Sequence, residues 1–233
     1  VKIKYCFTNR HGGVSTPPYD SLNLAFHVGD NQENVIQNRK ILQNKFNLQN
    51  IVWMDQVHSD NVQTVSSPQT KPLSACDAII TNQPNIALAV MVADCIPILM
   101  FDPKRNIIAA IHAGRNGTFL QIAPKTVKVM QKEFGSVPTD IQVIMGPSIH
   151  SCCYEIGDDL ASIVEKNFSK NYLNGRMLDL QKLNCDQLIE AQINKNHIKI
   201  SKICTCCNSD YFSYRKEGTT GRFAGVIWVE KSY

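Results

Sequence analysis

The sequence predicts an α+β fold, a single domain of layered, mixed β-sheets flanked by helices. Three observations carry this. Short apolar runs rich in Ile and Val fill the middle of the chain: Ala78-Ile79-Ile80-Thr81, Ile86 to Ala93, Ile96 to Phe101 and Ile107 to Ile111. Runs of this length without alternation fit central strands covered on both faces. Helical faces lie to either side of that block, yet strands and helices do not alternate strictly, which argues against a Rossmann arrangement. No repeat, low-complexity tract or Pro/Gly/Ser linker divides the 233 residues, so one domain over 1–233 is expected.

The elements follow in order. Lys2 to Phe7 alternates enough for a strand and runs into Thr8-Asn9-Arg10-His11-Gly12-Gly13-Val14-Ser15. The double glycine marks a turn or a ligand-facing loop. Asp30-Asn31-Gln32-Glu33 has capping-box spacing, and Val35, Leu42 and Phe46 then share one face of a helix ending near Asn47. Pro84-Asn85 and Asp102-Pro103 separate some of the apolar runs. Phe119, Ile122, Thr126 and Val129 predict a helix after Gly117, with Pro124 counting against it. Ile141 to Met145 reads as a strand. Leu160, Ile163, Val164 and Phe168 form one helical face, and Leu188, Ile189 and Ile193 another. Ala224 to Val229 is the final strand.

Composition excludes several classes. With 43% hydrophobic and 19% charged residues the chain can bury a core, so disorder is ruled out. Lys and Arg number 24 against 20 Asp and Glu, and the scattered excess of +4 does not point to nucleic acid or an anionic membrane. The nine cysteines cannot all pair internally, and a chain this long needs no disulfide framework. Val1-Lys2-Ile3-Lys4-Tyr5 carries no apolar signal region. The most apolar stretch, Ile86 to Phe101, is interrupted by Asp94 and Pro97 and is too short for a bilayer. A reducing, cytoplasmic location is expected, where cysteines serve as small buried residues, metal ligands or reactive thiols.

Three motifs place polar groups in or beside apolar runs: Asp55-Gln56-Val57-His58, Ala93-Asp94-Cys95 and Ile111-His112-Ala113-Gly114. Burying such groups is costly unless they are paired or ligated. His58, Cys95 and His112 form a His2Cys set, and three protein ligands leave a zinc position open for water or substrate. Their spacings are long and irregular, so two readings stay open beside this one: two satisfied core histidines with a buried free cysteine, and a nucleophilic Cys95–His112 pair. Cys152-Cys153 and Cys204-Thr205-Cys206-Cys207 suggest either a second thiolate site or buried and edge thiols. The latter is favoured because adjacent side chains diverge in a strand. Arg10, Arg39, Arg215 and Arg222 are either surface ion-pair partners or an anion clamp.

Taken together and in order, the motifs resemble the multi-copper polyphenol oxidase-like (laccase-domain) family, described as purine nucleoside phosphorylases. The resemblance covers nearly the whole chain. Besides those above, it rests on Ser21-Leu22-Asn23-Leu24, Val28-Gly29-Asp30, Asn38-Arg39, Cys76-Asp77-Ala78, Gly146-Pro147-Ser148-Ile149, Tyr154-Glu155-Ile156-Gly157, Phe212-Ser213-Tyr214-Arg215 and Gly221-Arg222.

The resemblance implies one zinc on His58, Cys95 and His112, rather than copper, since a multicopper oxidase needs many more histidines than the 6 present. It implies phosphorolysis of adenosine, inosine and methylthioadenosine to base and pentose 1-phosphate, with adenosine deamination besides. Purine nucleosides and phosphate are then the partners, and no nucleic acid, membrane or protein partner is inferred. Asp77 and Asp94 are the expected proton-handling carboxylates. Arg39 is the first expected anion or ribose contact, with Arg215 and Arg222 behind it, and Asn23 is expected to hydrogen-bond the nucleoside. Two other classes compete: a Cys95-centred hydrolase or amidase acting on cell-wall precursors, and a copper-dependent phenol oxidase. One departure stands out. The family usually has Trp after His-Ala-Gly, followed by a basic residue and Gly, where this chain reads His112-Ala113-Gly114-Arg115-Asn116-Gly117. An aromatic is replaced by a cation: either Arg115 supplies the basic group from the shifted position, or base stacking is weakened and substrate preference changes with it.

Overall fold

The structure, a computed structural model, describes residues 2–230. Among them the strands are β1 (Lys2–Phe7), β2 (Ile51–Val52), β3 (Val62–Thr64), β4 (Ala78–Thr81), β5 (Ala87–Val92), β6 (Ile96–Asp102), β7 (Ile107–Ala113), β8 (Gln142–Met145), β9 (Leu173–Asn174), β10 (Met177–Leu178), β11 (Ile198–Ile200) and β12 (Phe223–Glu230). The α-helices are α1 (Gln32–Phe46), α2 (Arg115–Phe119), α3 (Ile122–Phe134), α4 (Asp158–Asn167), α5 (Leu180–Glu190) and α6 (Tyr214–Glu217). The fold is α+β in a single domain.

Two mixed sheets stack face to face. One has the order β1-β12-β5-β2 and the other β11-β8-β6-β7-β4-β3, while β9 and β10 form a separate hairpin. Each large sheet is mainly antiparallel and takes parallel strands at its edges: β2 beside β5, β3 beside β4, and β11 beside β8. The uninterrupted apolar runs follow from this stacking. On β7, Ile107, Ala109, Ile111 and Ala113 face a core shared with α3 and α5, while Ile108 and Ala110 face the other sheet. On β5, Leu88, Val90 and Val92 point between the sheets. Ala87, Ala89 and Met91 instead pack with Leu42 of α1 and with Leu22 and Leu24. A strand buried on both faces loses the period-two signal, because neither face meets water.

Helix ends explain two local differences from expectation. The N-cap of α1 is Asn31, whose Oδ1 accepts from the Glu33 backbone N–H at 2.8 Å. Asp30 is thus displaced from the capping role. Its carboxylate instead accepts from Ser15 Oγ at 2.6 Å and Asn23 Nδ2 at 2.9 Å, tying the preceding loops together. Asn47, at φ 52°, ends α1 in the left-handed region, where Asn is tolerated. Pro124 does not break the helix after Gly117, because it lies in the first turn of α3, where its missing N–H has no intrahelical acceptor. Gly117 falls inside α2. α5 stops at Glu190, so Ile193 contributes to the core from beyond it.

Candidate active site

The C-terminal end of β5, the start of β6 and the end of β7 meet at one edge of the stacked sheets. His112 occupies the next inter-sheet position on β7 after Ile108 and Ala110, and is paired in register with Pro97. Cys95 closes the turn from β5 to β6, and His58 lies in the loop between β2 and β3. One donor atom from each lies within 4.8 Å of the others. Cys95 Sγ is 3.9 Å from His58 Nε2, and the two imidazoles meet edge to face with centroids 4.6 Å apart.

Backbone and buried carboxylate hold this arrangement. Asp77, fully buried before β4, accepts from His112 Nδ1 at 2.7 Å. It also accepts from the backbone N–H groups of His58 at 3.0 Å and Ser59 at 2.6 Å, and from the Ser59 hydroxyl at 2.8 Å. One carboxylate thus sets the loop carrying His58 and leaves His112 Nε2 as the ring nitrogen available toward Cys95. Gln56 adds a second tie, exchanging hydrogen bonds with the backbone of Met91 at 2.7 and 2.8 Å as if it were a strand. His58 (φ 59°) and Asp94 (φ 88°) both adopt positive φ, a conformation that costs a non-glycine residue about 1–3 kcal/mol. Gly114 leaves the space into which the donors converge. A Cβ there would come within 3.0 Å of Cys95 Sγ and 3.1 Å of His58 Cδ2.

The electrostatics couple the same groups. Burial opposes ionisation of Cys95, but the charge of His112 and hydrogen bonds with both histidines outweigh it, bringing the thiol down to about 6. Burial likewise opposes a charged His112, but the Cys95 thiolate and Asp77 raise it to about 9. For Asp77, hydrogen bonds from His112 and Ser59 overcome burial and hold the carboxyl at about 2. Three donors of borderline and soft character, preset by a carboxylate behind them, could hold a metal ion.

These donors line a cavity of about 320 Å³. Its cationic lining is Arg115, Arg215 and Arg222, and Asp94 is the carboxylate among its lining residues. Among the described residues none of the three arginines makes an ion pair within 4.0 Å, so the cavity has the charge to receive an anion. Arg215 donates to the backbone oxygens of Cys153 at 3.1 Å and Glu155 at 3.0 Å, and its guanidinium lies 5.4 Å from the Tyr154 ring centroid. Arg222 donates to Thr220 O and Gly221 O, both at 2.9 Å. Asp94 accepts from the Thr205 hydroxyl at 2.7 Å and from the Arg215 backbone N–H at 2.6 Å. Tyr154 and Tyr214 add aromatic surface.

Three residues singled out from the sequence are not among those that line the cavity. Arg39 is held between the rings of Trp53 (4.0 Å) and Phe26 (4.5 Å), donates to Leu24 O at 2.9 Å, and is lowered to about 10 by burial. Asn23 is fully buried, and its Oδ1 accepts from the backbone N–H of Arg222 at 2.9 Å, bracing a residue that lines the cavity. Asp77 lies behind His112, its carboxylate accepting from His112, His58 and Ser59. Arg10 follows the ion-pair reading, with Glu217 at 2.6 Å. Conversely, His27, Gln56, Tyr154 and Tyr214 line the cavity without having been chosen from the sequence. Gln56, Tyr154 and Tyr214 lie inside the motifs already noted, and His27 directly precedes Val28-Gly29-Asp30, so position in the motifs was the available signal.

Comparison with known proteins places this geometry. Residues 4–230 match the family described as multi-copper polyphenol oxidoreductase laccase. A purine nucleoside phosphorylase of Corynebacterium glutamicum is 37% identical over 237 residues, covering 98% of this chain and 95% of that protein. The purine nucleoside phosphorylase YlmD of Bacillus subtilis is 34% identical, with 97% and 88% covered. The crystal structure of the Bacillus licheniformis hypothetical protein YfiH superposes with a TM-score of 0.93 at 33% identity, over 98% of this chain and 93% of that one. YlmD from Geobacillus stearothermophilus gives 0.91 at 30% identity, over 98% and 92%.

Proposed function

The chain belongs to the multi-copper polyphenol oxidoreductase laccase family, and from that premise we propose that it is a zinc-dependent purine nucleoside phosphorylase that also deaminates adenosine. The observation that supports this most is the joining of two chemistries in one cavity: a preset His2Cys donor set and three arginines free of carboxylate partners. Inosine, adenosine and methylthioadenosine are the proposed nucleosides, and phosphate is the co-substrate.

His58, Cys95 and His112 are the proposed zinc ligands, since two imidazoles and a thiolate suit that ion and Gly114 leaves the donors room to converge. When bound, zinc supplies Lewis acidity. Asp77 acts through His112, fixing its tautomer and orientation. In phosphorolysis the C1′–N9 bond breaks, a phosphate oxygen bonds to C1′, and the purine leaves with a proton. Arg115, Arg215 and Arg222 bind and orient the phosphate, guanidinium being suited to bidentate contact with it. Tyr154 and Tyr214 pack against the nucleoside and exclude water. Asp94 passes a proton to the departing base nitrogen. In deamination, water replaces the amino group at C6, ammonia leaves, and Asp94 again handles the proton. A cytoplasmic location is part of the proposal; none of the described helices is long and apolar enough to cross a membrane.

The test is to mix zinc-loaded protein with inosine and phosphate and follow hypoxanthine and ribose 1-phosphate. Hypoxanthine that forms only with phosphate is the expected result, and no product from zinc-loaded protein overturns it. Ammonia release from adenosine tests deamination separately. A Cys95-centred amidase predicts instead that alkylation abolishes activity in metal-free protein. A copper phenol oxidase finds little support, because only His27, His58 and His112 of the six histidines line the cavity.

A further inference from the structure

Away from these donors, two turns bring four cysteines together. Cys152 and Cys153 lie in the turn 151–153, and Cys204 and Cys207 bracket and close the turn 205–207. Their four Sγ atoms all lie within 4.8 Å of one another. Cys207 Sγ is 3.7 Å from Cys152 Sγ and 3.3 Å from Cys153 Sγ. Zinc–sulfur bonds of about 2.3 Å set the corners of a tetrahedron about 3.8 Å apart, so small shifts would complete one. Neighbouring side chains diverge in a strand, but Cys152 and Cys153 sit in a turn, and both sulfurs reach the same partner.

The backbone is organised around the fourth sulfur. Cys204 Sγ accepts from the backbone N–H of His150 at 3.4 Å. A neutral thiol is a weak acceptor, whereas a thiolate gains from a peptide N–H. Local pairing holds both halves in place: Ser148 bridges Cys204, Thr205 N–H donates to Ser148 O at 3.0 Å, and Cys153 N–H donates to His150 O at 2.9 Å.

We propose that Cys152, Cys153, Cys204 and Cys207 form a tetrathiolate zinc site, structural in role and separate from the cavity donors. Four protein ligands fill the zinc shell, so this site takes no substrate. The thiols lose their protons to solvent as zinc binds. The ion cross-links the two turns that carry one wall of the cavity. Cys153 O and Glu155 O hold the Arg215 guanidinium to either side of Tyr154, and Thr205, next to Cys204, holds Asp94.

The full-length chain, purified with a reductant, saturated with zinc(II) and desalted, is expected to carry two zinc ions per chain. His58→Ala is expected to retain one, the Cys152→Ser/Cys207→Ser variant one, and the combined variant none. A single zinc that His58→Ala removes completely overturns the site. A second measurement needs no variant. Cys152 and Cys207 are exposed, so limiting iodoacetamide should label them readily in zinc-free protein and at least tenfold more slowly with zinc(II) added. Equal labelling with and without zinc, or a disulfide among the four that persists under the reductant, likewise overturns it.

Discussion

The two donor clusters differ in what surrounds them. His58, Cys95 and His112 are three donors at the junction of two sheets, with a buried carboxylate behind one imidazole and a lined cavity in front. Cys152, Cys153, Cys204 and Cys207 are four donors on two turns, with a peptide N–H behind one sulfur. The lesson is that donor identity alone does not separate chemistry from scaffolding. Three donors beside a cavity leave an ion able to meet a substrate, while four donors close it off. The supports differ too. A carboxylate increases the basicity of an imidazole ligand, whereas N–H donors only steady a thiolate.

The largest expected effect comes from breaking the first cluster. Cys95→Ala and His58→Ala should each abolish phosphorolysis and weaken zinc binding at the cavity by more than the roughly 10–100-fold that a supporting residue commands. The zinc of the cysteine cluster should remain, as metal analysis of the same samples can check. If both ions are lost together, the clusters are not independent. Asp77→Asn comes next. It keeps the size of the side chain but weakens the hold on His112, so zinc affinity or kcat should fall about 10–100-fold. Cys152 and Cys207 labelling should not change.

Arg115→Gln tests the other component of the cavity. The Arg115 guanidinium bonds to Asn116 Oδ1 at 3.2 and 3.3 Å, so its removal disturbs little else. A charged hydrogen bond is worth about 1.5–3 kcal/mol, and partial exposure argues for the lower end. The KM for phosphate should therefore rise about tenfold with the nucleoside KM unchanged, read from initial rates with each substrate varied. A rise in the nucleoside KM instead would move Arg115 to the base side of the cavity, the side suggested by the aromatic that usually follows His-Ala-Gly.

How much was legible beforehand tracks the kind of interaction involved. β5, β6 and β7 could be read from sequence because double burial writes a local pattern into Ala87–Val92, Ile96–Asp102 and Ile107–Ala113. β2, β3 and β11 are two or three residues long and exist through pairing with strands distant in sequence, which no local window contains. The three cavity donors stood out as polar groups at the ends of apolar runs. Their orienting residue, Asp77, lies in the Cys76-Asp77-Ala78 motif, but only the fold shows that its carboxylate accepts from His58, Ser59 and His112. Arg39 looked like an anion contact because stacking between Phe26 and Trp53 depends on residues on either side of it in sequence and far from it along the chain. Side chains of the pair at 152–153 would diverge in a strand, whereas the structure places the pair in a turn.

The smallest effect expected on activity comes from opening the cysteine cluster. The Cys152→Ser/Cys207→Ser variant leaves every cavity side chain in place. What it loosens are the carbonyls that receive Arg215 and the turn that carries Thr205. Ordinary hydrogen bonds contribute about 0.5–1.5 kcal/mol each, so kcat/KM should fall about 2–10-fold. The loss should lie in phosphate binding, where Arg215 acts, and not in zinc content at the cavity. Stability gives the complementary reading, because an ion that binds only the folded chain raises its melting temperature. In the His58→Ala background, added zinc should still raise Tm, and adding Cys152→Ser/Cys207→Ser should remove that rise. A zinc-dependent Tm that survives the loss of both clusters would place the stabilising ion elsewhere, and the contrast between a working site and a holding site would no longer stand.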